Sequence, residues 1–240
     1  MRKIIISLFT IVFSLAMKAQ DINDKVKTEY NDHANDHLML QLTSDQWLNA
    51  PDSISSRLKS NSRGGAIYLM INKPFQSNKH ISVAFGLGIG SSNVYTDKMS
   101  VDITANTPVL SFTSLDSLNY FKKYKVSTSY LEIPVELRYF SKPSNPNKSV
   151  KAAIGVKVGT LLNAHTKGKT LYSKAGTKIQ DYSDKLNSKS YFNSTRLAVT
   201  ARVGYGNFSL FGSCNLTPIF KDKVAANMSL LQVGLNLSGL

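Results

Sequence analysis

The chain has 240 residues, with 29 Lys and Arg against 15 Asp and Glu, and a formal charge of +14 at pH 7. That balance points to an anionic partner, whether nucleic acid, anionic lipid or acidic glycan. A single cysteine, Cys214, excludes an intrachain disulfide framework, and after residue 17 no apolar run is long enough for a membrane-spanning helix.

The N-terminus sets the compartment. Arg2 and Lys3 precede a nearly unbroken apolar run over residues 4–17, and Lys18-Ala19-Gln20 returns to polar sequence. This is the pattern of a secretory signal peptide over residues 1–19, cleaved near Ala19. Export removes the chain from genomic DNA, so no nucleic-acid partner is expected despite the charge. Residues 20–36 are polar and read as a periplasmic tail, and residues 37–240 as one barrel domain. An exported chain with no apolar helix can cross a membrane only as a closed β-barrel, because open sheet edges cannot face lipid.

Eight segments carry the period-two pattern of strands. They lie at 37–43, 66–73, 81–95, 130–139, 150–161, 195–205, 207–216 and 231–238. The fourth sets Leu131, Ile133, Val135, Leu137 and Tyr139 against Glu132, Pro134, Glu136 and Arg138. The fifth sets Val150, Ala152, Ile154, Val156 and Val158 against Lys151, Ala153, Gly155, Lys157 and Gly159. The sixth opposes Leu197, Val199, Ala201 and Val203 to Arg196, Thr200, Arg202 and Gly204, and the eighth opposes Leu231, Val233, Leu235 and Leu237 to Gln232, Gly234, Asn236 and Ser238. Pro134 has no N–H for a ladder, so a bulge is expected there.

Connections alternate. Short turns are expected at 74–80, 142–147 and 206–207, and long loops at 44–65, 96–126, 165–190 and 217–228. In an up-and-down barrel this collects the long loops at one end, extracellular in outer-membrane barrels, and leaves short turns and both termini at the periplasmic end. The expected fold is all-β: an eight-stranded antiparallel up-and-down transmembrane β-barrel. Trp47, Tyr95, Tyr130, Tyr191 and Phe192 are expected as an aromatic girdle at the long-loop end. Phe75, Tyr139, Phe140, Tyr205 and Phe208 form the matching girdle at the turn end.

The charges fix which face looks inward. A Lys or Arg turned to lipid costs roughly 2–4 kcal/mol at mid-depth. Glu132, Glu136, Arg138, Lys151, Lys157, Arg196 and Arg202 are therefore expected inside, as an ionic network that fills the lumen rather than leaving an open pore. Glycines on the same face make room in a narrow barrel.

Three stretches resemble a family: Asp36-His37-Leu38-Met39-Leu40-Gln41-Leu42, Tyr130-Leu131-Glu132-Ile133-Pro134-Val135-Glu136-Leu137, and residues 153–159. They look like the outer-membrane β-barrel proteins of the Bacteroidetes type, a group that includes the PorT-like and OmpA-like transmembrane barrels. The resemblance implies an outer-membrane location, no shared catalytic residues and no cofactor. For PorT-like relatives it implies an accessory role in secretion or gliding.

Other motifs were weighed. Gly86-Leu87-Gly88-Ile89-Gly90 has the glycine spacing of a dinucleotide loop, but no helix pattern follows, and the glycines alternate as strand positions facing the lumen. Gly168-Lys169-Thr170 lacks the leading glycine of a phosphate loop, since position 163 is Asn163. His33 and His37, beside Asp32 and Asp36, read as a solvated tail and not a metal site. No metal and no enzyme activity are expected. The rival reading is a lipid-modifying enzyme using His165 with Ser190 or Ser129. Lys167, Lys169, Lys174, Lys178, Lys185 and Lys189 are candidates for contact with lipopolysaccharide or a surface or envelope protein, by a chain expected to be monomeric. Ser53 and Ser117, in Asp52-Ser53-Ile54 and Asp116-Ser117-Leu118, are candidate O-glycan acceptors.

Overall fold

Branched and aromatic residues on one face of a period-two segment, with small or charged residues on the other, favour an extended chain with two unlike sides. The computed structural model describes residues 38–239; the expected signal peptide, the polar tail and the His33/His37 pair lie outside the described residues. The strands are β1 (Leu38–Leu48), β2 (Arg63–Pro74), β3 (Ile81–Thr96), β4 (Met99–Asp102), β5 (Ser111–Ser114), β6 (Tyr120–Phe140), β7 (Val150–Tyr172), β8 (Lys178–Asn187), β9 (Thr195–Tyr205), β10 (Phe208–Asn215) and β11 (Ser229–Ser238). One helical turn, α1 (Asp52–Ser55), sits between β1 and β2.

Eight of these strands close into an antiparallel ring in the order β1-β2-β3-β6-β7-β9-β10-β11. Closure is made by β11 on β1, from Met39↔Ser238 to Leu48↔Ser229. The fold is thus the expected eight-stranded barrel. The short connections lie where the alternation put them, the tightest being the two residues Gly206-Asn207 between Tyr205 and its partner Phe208. Gly206 takes φ 59°, a left-handed value suited to a residue without Cβ.

Three strands lie outside the ring, and they correct the loop assignments. β4 and β5 form a small hairpin within the connection expected as loop 96–126. Residues 165–190 are not one loop: β7 runs on to Tyr172 and β8 pairs back along it, from His165↔Asn187 to Tyr172↔Lys178. Lysines at Lys167, Lys169, Lys178 and Lys185 obscured a strand alternation that needs no apolar face, because β8 is exposed along nearly its whole length.

Pro134 carries no bulge. It stands in register opposite Lys157, and the β3–β6 ladder simply lapses between Phe85↔Val135 and Gly88↔Glu132 without a change of register. A gap, not an extra residue, absorbs the missing N–H. The bulge is on β7: Ser129 pairs with Asn163 and Tyr130 with Leu161, which leaves Leu162 unmatched. Below it the odd residues Lys151, Lys157 and Leu161 are buried, and above it the even residues Ala164 and Thr166 are. One inserted residue exchanges the faces of the strand.

The wall is the inverse of a soluble protein. Leu69, Ile154 and Phe208 are 66%, 64% and 69% exposed, whereas Glu132 and Arg138 are 0% and 1% exposed. Leu42, Ile67, Ile71, Leu87, Ile133, Val203, Leu210 and Leu235 extend the outward apolar surface around the ring. A surface this large and continuous requires an apolar medium. At the turn end Phe75, Tyr139, Tyr205 and Phe208 face outward as a girdle, while Phe140 turns in. Of the five residues expected as a girdle at the other end, Tyr95 alone lies on the outward face, half-buried. Trp47, Tyr130, Tyr191 and Phe192 are buried in an apolar cluster, because the long loops fold over the mouth and supply partners that a bare rim would lack.

Inside, β1–β3 contribute a small apolar patch of Met39, Tyr68, Met70 and Ala84. Glycines on β3 make space for it. A Cβ at Gly88 would stand 2.1 Å from the Ile67 carbonyl and 2.4 Å from the Tyr68 ring, and one at Gly90 would stand 2.7 Å from the Glu132 carboxylate. Gly88→Val should therefore overpack the lumen and lower stability by about 1–3 kcal/mol. The check is the urea midpoint at which the folded band is lost on unboiled gels; an unchanged midpoint would mean that the β2 backbone at Ile67 and the Tyr68 ring both shift at little cost.

Candidate functional site

Two regions concentrate the polar and aromatic side chains, the mid-barrel interior and the long-loop end. The interior is organised by two carboxylates on β6, spaced four residues apart so that both face inward. Glu132 accepts a hydrogen bond from the Tyr68 hydroxyl, lies 2.9 Å from Arg196 Nη1 and 3.6 Å from Lys157 Nζ. Lys157 Nζ also donates to the Tyr68 oxygen at 3.4 Å and sits over the Phe211 ring at 5.3 Å. Glu136 accepts from Arg138 Nε at 2.8 Å and from Arg202 Nη2 at 3.1 Å. Arg196 continues the network, donating from Nε to Asn215 Oδ1 at 3.0 Å and from Nη2 to Gln232 Oε1 at 2.6 Å. Gln232 then donates to Asp45 Oδ1 at 3.0 Å, which Thr43 Oγ1 also reaches at 2.6 Å. Lys151 lies lower, with its ammonium 5.5 Å above the Phe140 ring.

All seven charged residues predicted for the lumen are buried there, and six of them share the two carboxylate centres. Sequence reasoning missed Asp45, Tyr68, Asn215 and Gln232 as members. Asp45 was left out because β1 was ended at Thr43, although Gln41, Thr43 and Asp45 continue the same alternating face. Tyr68 gave no signal, since a tyrosine on a strand suits either side of such a wall.

The long-loop end holds an apolar cluster that sequence reasoning did not foresee. Every long connection contributes to it: Ile54 from β1–β2, Ile103 and Leu110 from β3–β6, Tyr191 and Phe192 from β7–β9, and Ile219, Phe220 and Met228 from β10–β11. Phe220 is its centre, with ring centroids 5.1 Å from Phe192, 5.7 Å from Trp47 and 5.9 Å from Phe112. Polar ties hold the loops together. The Tyr191 hydroxyl donates to the Thr107 carbonyl at 2.9 Å, and Asn193 Nδ2 donates to the carbonyls of Pro218 and Phe220, each at 2.8 Å. Arg57 pairs with Asp116, and this contact, with Ser114, holds the Asp116 carboxyl below the ordinary carboxylate range.

The remaining candidates separate. Lys169, Lys174, Lys178, Lys185 and Lys189 are exposed and Lys167 is half-buried, all on or beside the β7–β8 hairpin. Lys178 pairs with Asp181 at 3.3 Å. Lys125, Lys167 and Lys185 stand directly opposite one another on three neighbouring strands, an arrangement of like charge that costs stability on its own. His165 lies between Ser127 and Asn187 in register, and its described ring contact is with Asn163 at 3.3 Å; Ser129 instead donates to Ser91, and Ser190 accepts from Ser188. The structure brings no serine into hydrogen-bond contact with His165 among the described residues. Ser53 and Ser117 are both exposed at the long-loop end. No group of three metal-ligating side chains occurs among the described residues.

Removing one partner of a buried ionic centre leaves the others uncompensated. Glu136→Ala, which removes the acceptor shared by Arg138 Nε and Arg202 Nη2, should cost about 3–5 kcal/mol. The same unfolding assay reads it, and a loss below 1 kcal/mol would mean that water already solvates these groups.

Neither a curated protein nor a solved structure matches the chain. The model of the family described as outer membrane protein beta-barrel domain matches residues 19–221, a span that contains β1 to β10. That span, the closed antiparallel ring and the outward apolar surface agree, and the chain belongs to the outer-membrane β-barrel domain family.

Proposed function

We propose that this outer-membrane barrel is a non-catalytic structural and surface-binding protein, whose packed interior passes no solute and whose basic long-loop end meets the phosphates of lipopolysaccharide or an envelope partner. Two sets of side-chain contacts support a filled lumen. Ion pairs centred on Glu132 and Glu136 cross the middle, and the Phe220 cluster lies over one mouth. An aqueous channel would leave such carboxylates and guanidinium groups solvated instead of paired side chain to side chain.

Orientation is part of the proposal. Both ends of the ring, Leu38 and Ser238, lie with the short turns, as they do when termini are periplasmic and long loops extracellular. Residues 1–19 act as the export signal in this reading. Ring closure leaves no barrel edge in need of a partner strand, which supports a monomer. The narrower kinship with PorT-like or OmpA-like barrels, and with it an accessory role in secretion or gliding, rests on the strand motifs at 36–42, 130–137 and 153–159.

In planar bilayers the purified protein should show no steady single-channel conductance, and Phe220→Ala alone should not create one, because the ionic layer remains. Robust conductance from the unaltered protein would overturn the packed-lumen reading. Replacing Lys167, Lys169, Lys174, Lys178, Lys185 and Lys189 together with Gln should reduce retention on immobilised lipopolysaccharide by tenfold or more at low salt. Undiminished retention would remove this set as the contact.

A further inference from the structure

A second concentration of cations stands apart from the tip of the β7–β8 hairpin. It surrounds a cavity of about 320 Å³ between the β1–β2 connection and the upper ends of β3 and β6, lined by Lys59, Asn61, Arg63, Tyr95, Lys122, Lys123 and Tyr124. Four of these seven residues are cationic and none is acidic. Lys59 is held by Asp97 at 2.8 Å, whereas Arg63, Lys122 and Lys123 have no described acidic partner.

The walls are fixed before any ligand arrives. The Lys59 N–H donates to the Tyr95 carbonyl at 2.9 Å, and the Tyr95 N–H to Ser62 Oγ at 2.9 Å. The Asp97 N–H donates to the Arg57 carbonyl at 2.8 Å, and Leu58 bridges to Thr96. Tyr124 is anchored by its hydroxyl on Val101, at 2.9 Å to the carbonyl. The loop backbone is thus clamped to the strand end and Lys59 is held by Asp97, so binding has to order only the side chains of Arg63, Lys122 and Lys123.

Strand parity says what kind of molecule reaches it. Arg63 shares the outward face of β2 with Ile67, Leu69 and Ile71, and Tyr95 shares that of β3 with Leu87 and Ile89. Arg63 is four residues beyond Ile67, about 13 Å along the strand, and Tyr95 is six beyond Ile89, about 20 Å. The cavity therefore opens on the outer wall, directly above the lipid-facing surface and on the same strands. The matching molecule has acyl chains against Ile67, Leu69, Leu87 and Ile89, and an anionic head one to two nanometres above them. Cations with a tyrosine ring and an amide are the donor set for a phosphorylated sugar, with the ring face against Tyr95 and phosphate oxygens toward Arg63 and Lys123.

We propose that this cavity binds the phosphorylated saccharide head of an anionic glycolipid, one molecule per barrel. The inference rests on the glycolipid reading above and moves its centre from the hairpin tip to the β2–β3–β6 face. Lys125, which faces Tyr95 across β3–β6, extends the same basic surface toward Lys167 and Lys185.

The test uses the full chain, folded in zwitterionic detergent, with diphosphoryl lipid A as the probe and native mass spectrometry as the readout. The unaltered protein should retain one lipid A. Arg63→Gln with Lys123→Gln should weaken retention tenfold or more while keeping the boiling-dependent gel shift of a folded barrel. Lys174→Gln, Lys178→Gln and Lys189→Gln together should change it less than twofold. Equal weakening by both sets would overturn the cavity as a site and leave a diffuse glycolipid contact standing. No retention by the unaltered protein would overturn both readings. Glucosamine 1-phosphate binding as tightly as lipid A would overturn the amphiphile and leave a soluble phosphosugar as the occupant.

Discussion

Two carboxylates on one strand govern the interior of this barrel. Glu132 and Glu136 face inward on β6, and the cations that neutralise them stand on β6, β7 and β9. In a narrow eight-stranded ring nearly every inward group is removed from bulk water, so each charge must find its partner among the side chains across the lumen. A one-residue slip of β6 would turn both acids to lipid and bring Ile133 and Val135 inside. The ionic layer thus ties register to topology, while the apolar exterior contributes mainly through its fit to the membrane. Such layers stabilise little against a well-packed apolar core, and their larger effect is to penalise every arrangement in which one partner is missing.

The same constraint explains the division of the interior. Where β1 to β3 line the lumen, Gly86 and Gly88 leave the volume that Met70 and Tyr68 occupy, and Gly90 makes room for the Glu132 carboxylate. Tyr68 then joins the two halves, apolar ring toward Met70 and Ala84, hydroxyl toward Glu132 and Lys157. Above this layer the loops close a second core around Phe220, in which single loop residues meet inward residues of the strand ends such as Trp47, Val126 and Leu230. The Arg196 guanidinium, 5.4 Å from the Tyr130 ring centroid, joins the polar middle to the apolar cover.

The sequence carried most of the wall and little of the cover. Parity alone distinguished Glu132 from Ile133 and Arg202 from Val203, because any lipid-facing strand must put its charges on one side. Ile54, Ile103, Leu110, Ile219 and Met228 are single apolar residues in irregular loops, with no period to reveal that they converge. Trp47 and Phe192 were misplaced for a related reason: an aromatic ring at a strand end is equally suited to a bilayer interface and to a buried cluster, and only the folding of the loops decides. The cationic cavity was out of reach altogether, since Lys59 and Arg63 come from one segment and Lys123 from another sixty residues on, brought together only through β3.

The unmatched Leu162 has a consequence for how such a protein can change over time. Because the bulge reverses the inward parity of β7, the strand below it answers to the lumen and the strand above it to the loop core, with no shared phase. Insertions or deletions of two residues in the β7–β8 hairpin would preserve its own alternation and leave every lumen contact where it is. The bulge acts as a joint between the barrel wall and the hairpin, so the hairpin can lengthen or shorten by pairs of residues, or exchange its charges, while the barrel beneath it keeps the same register.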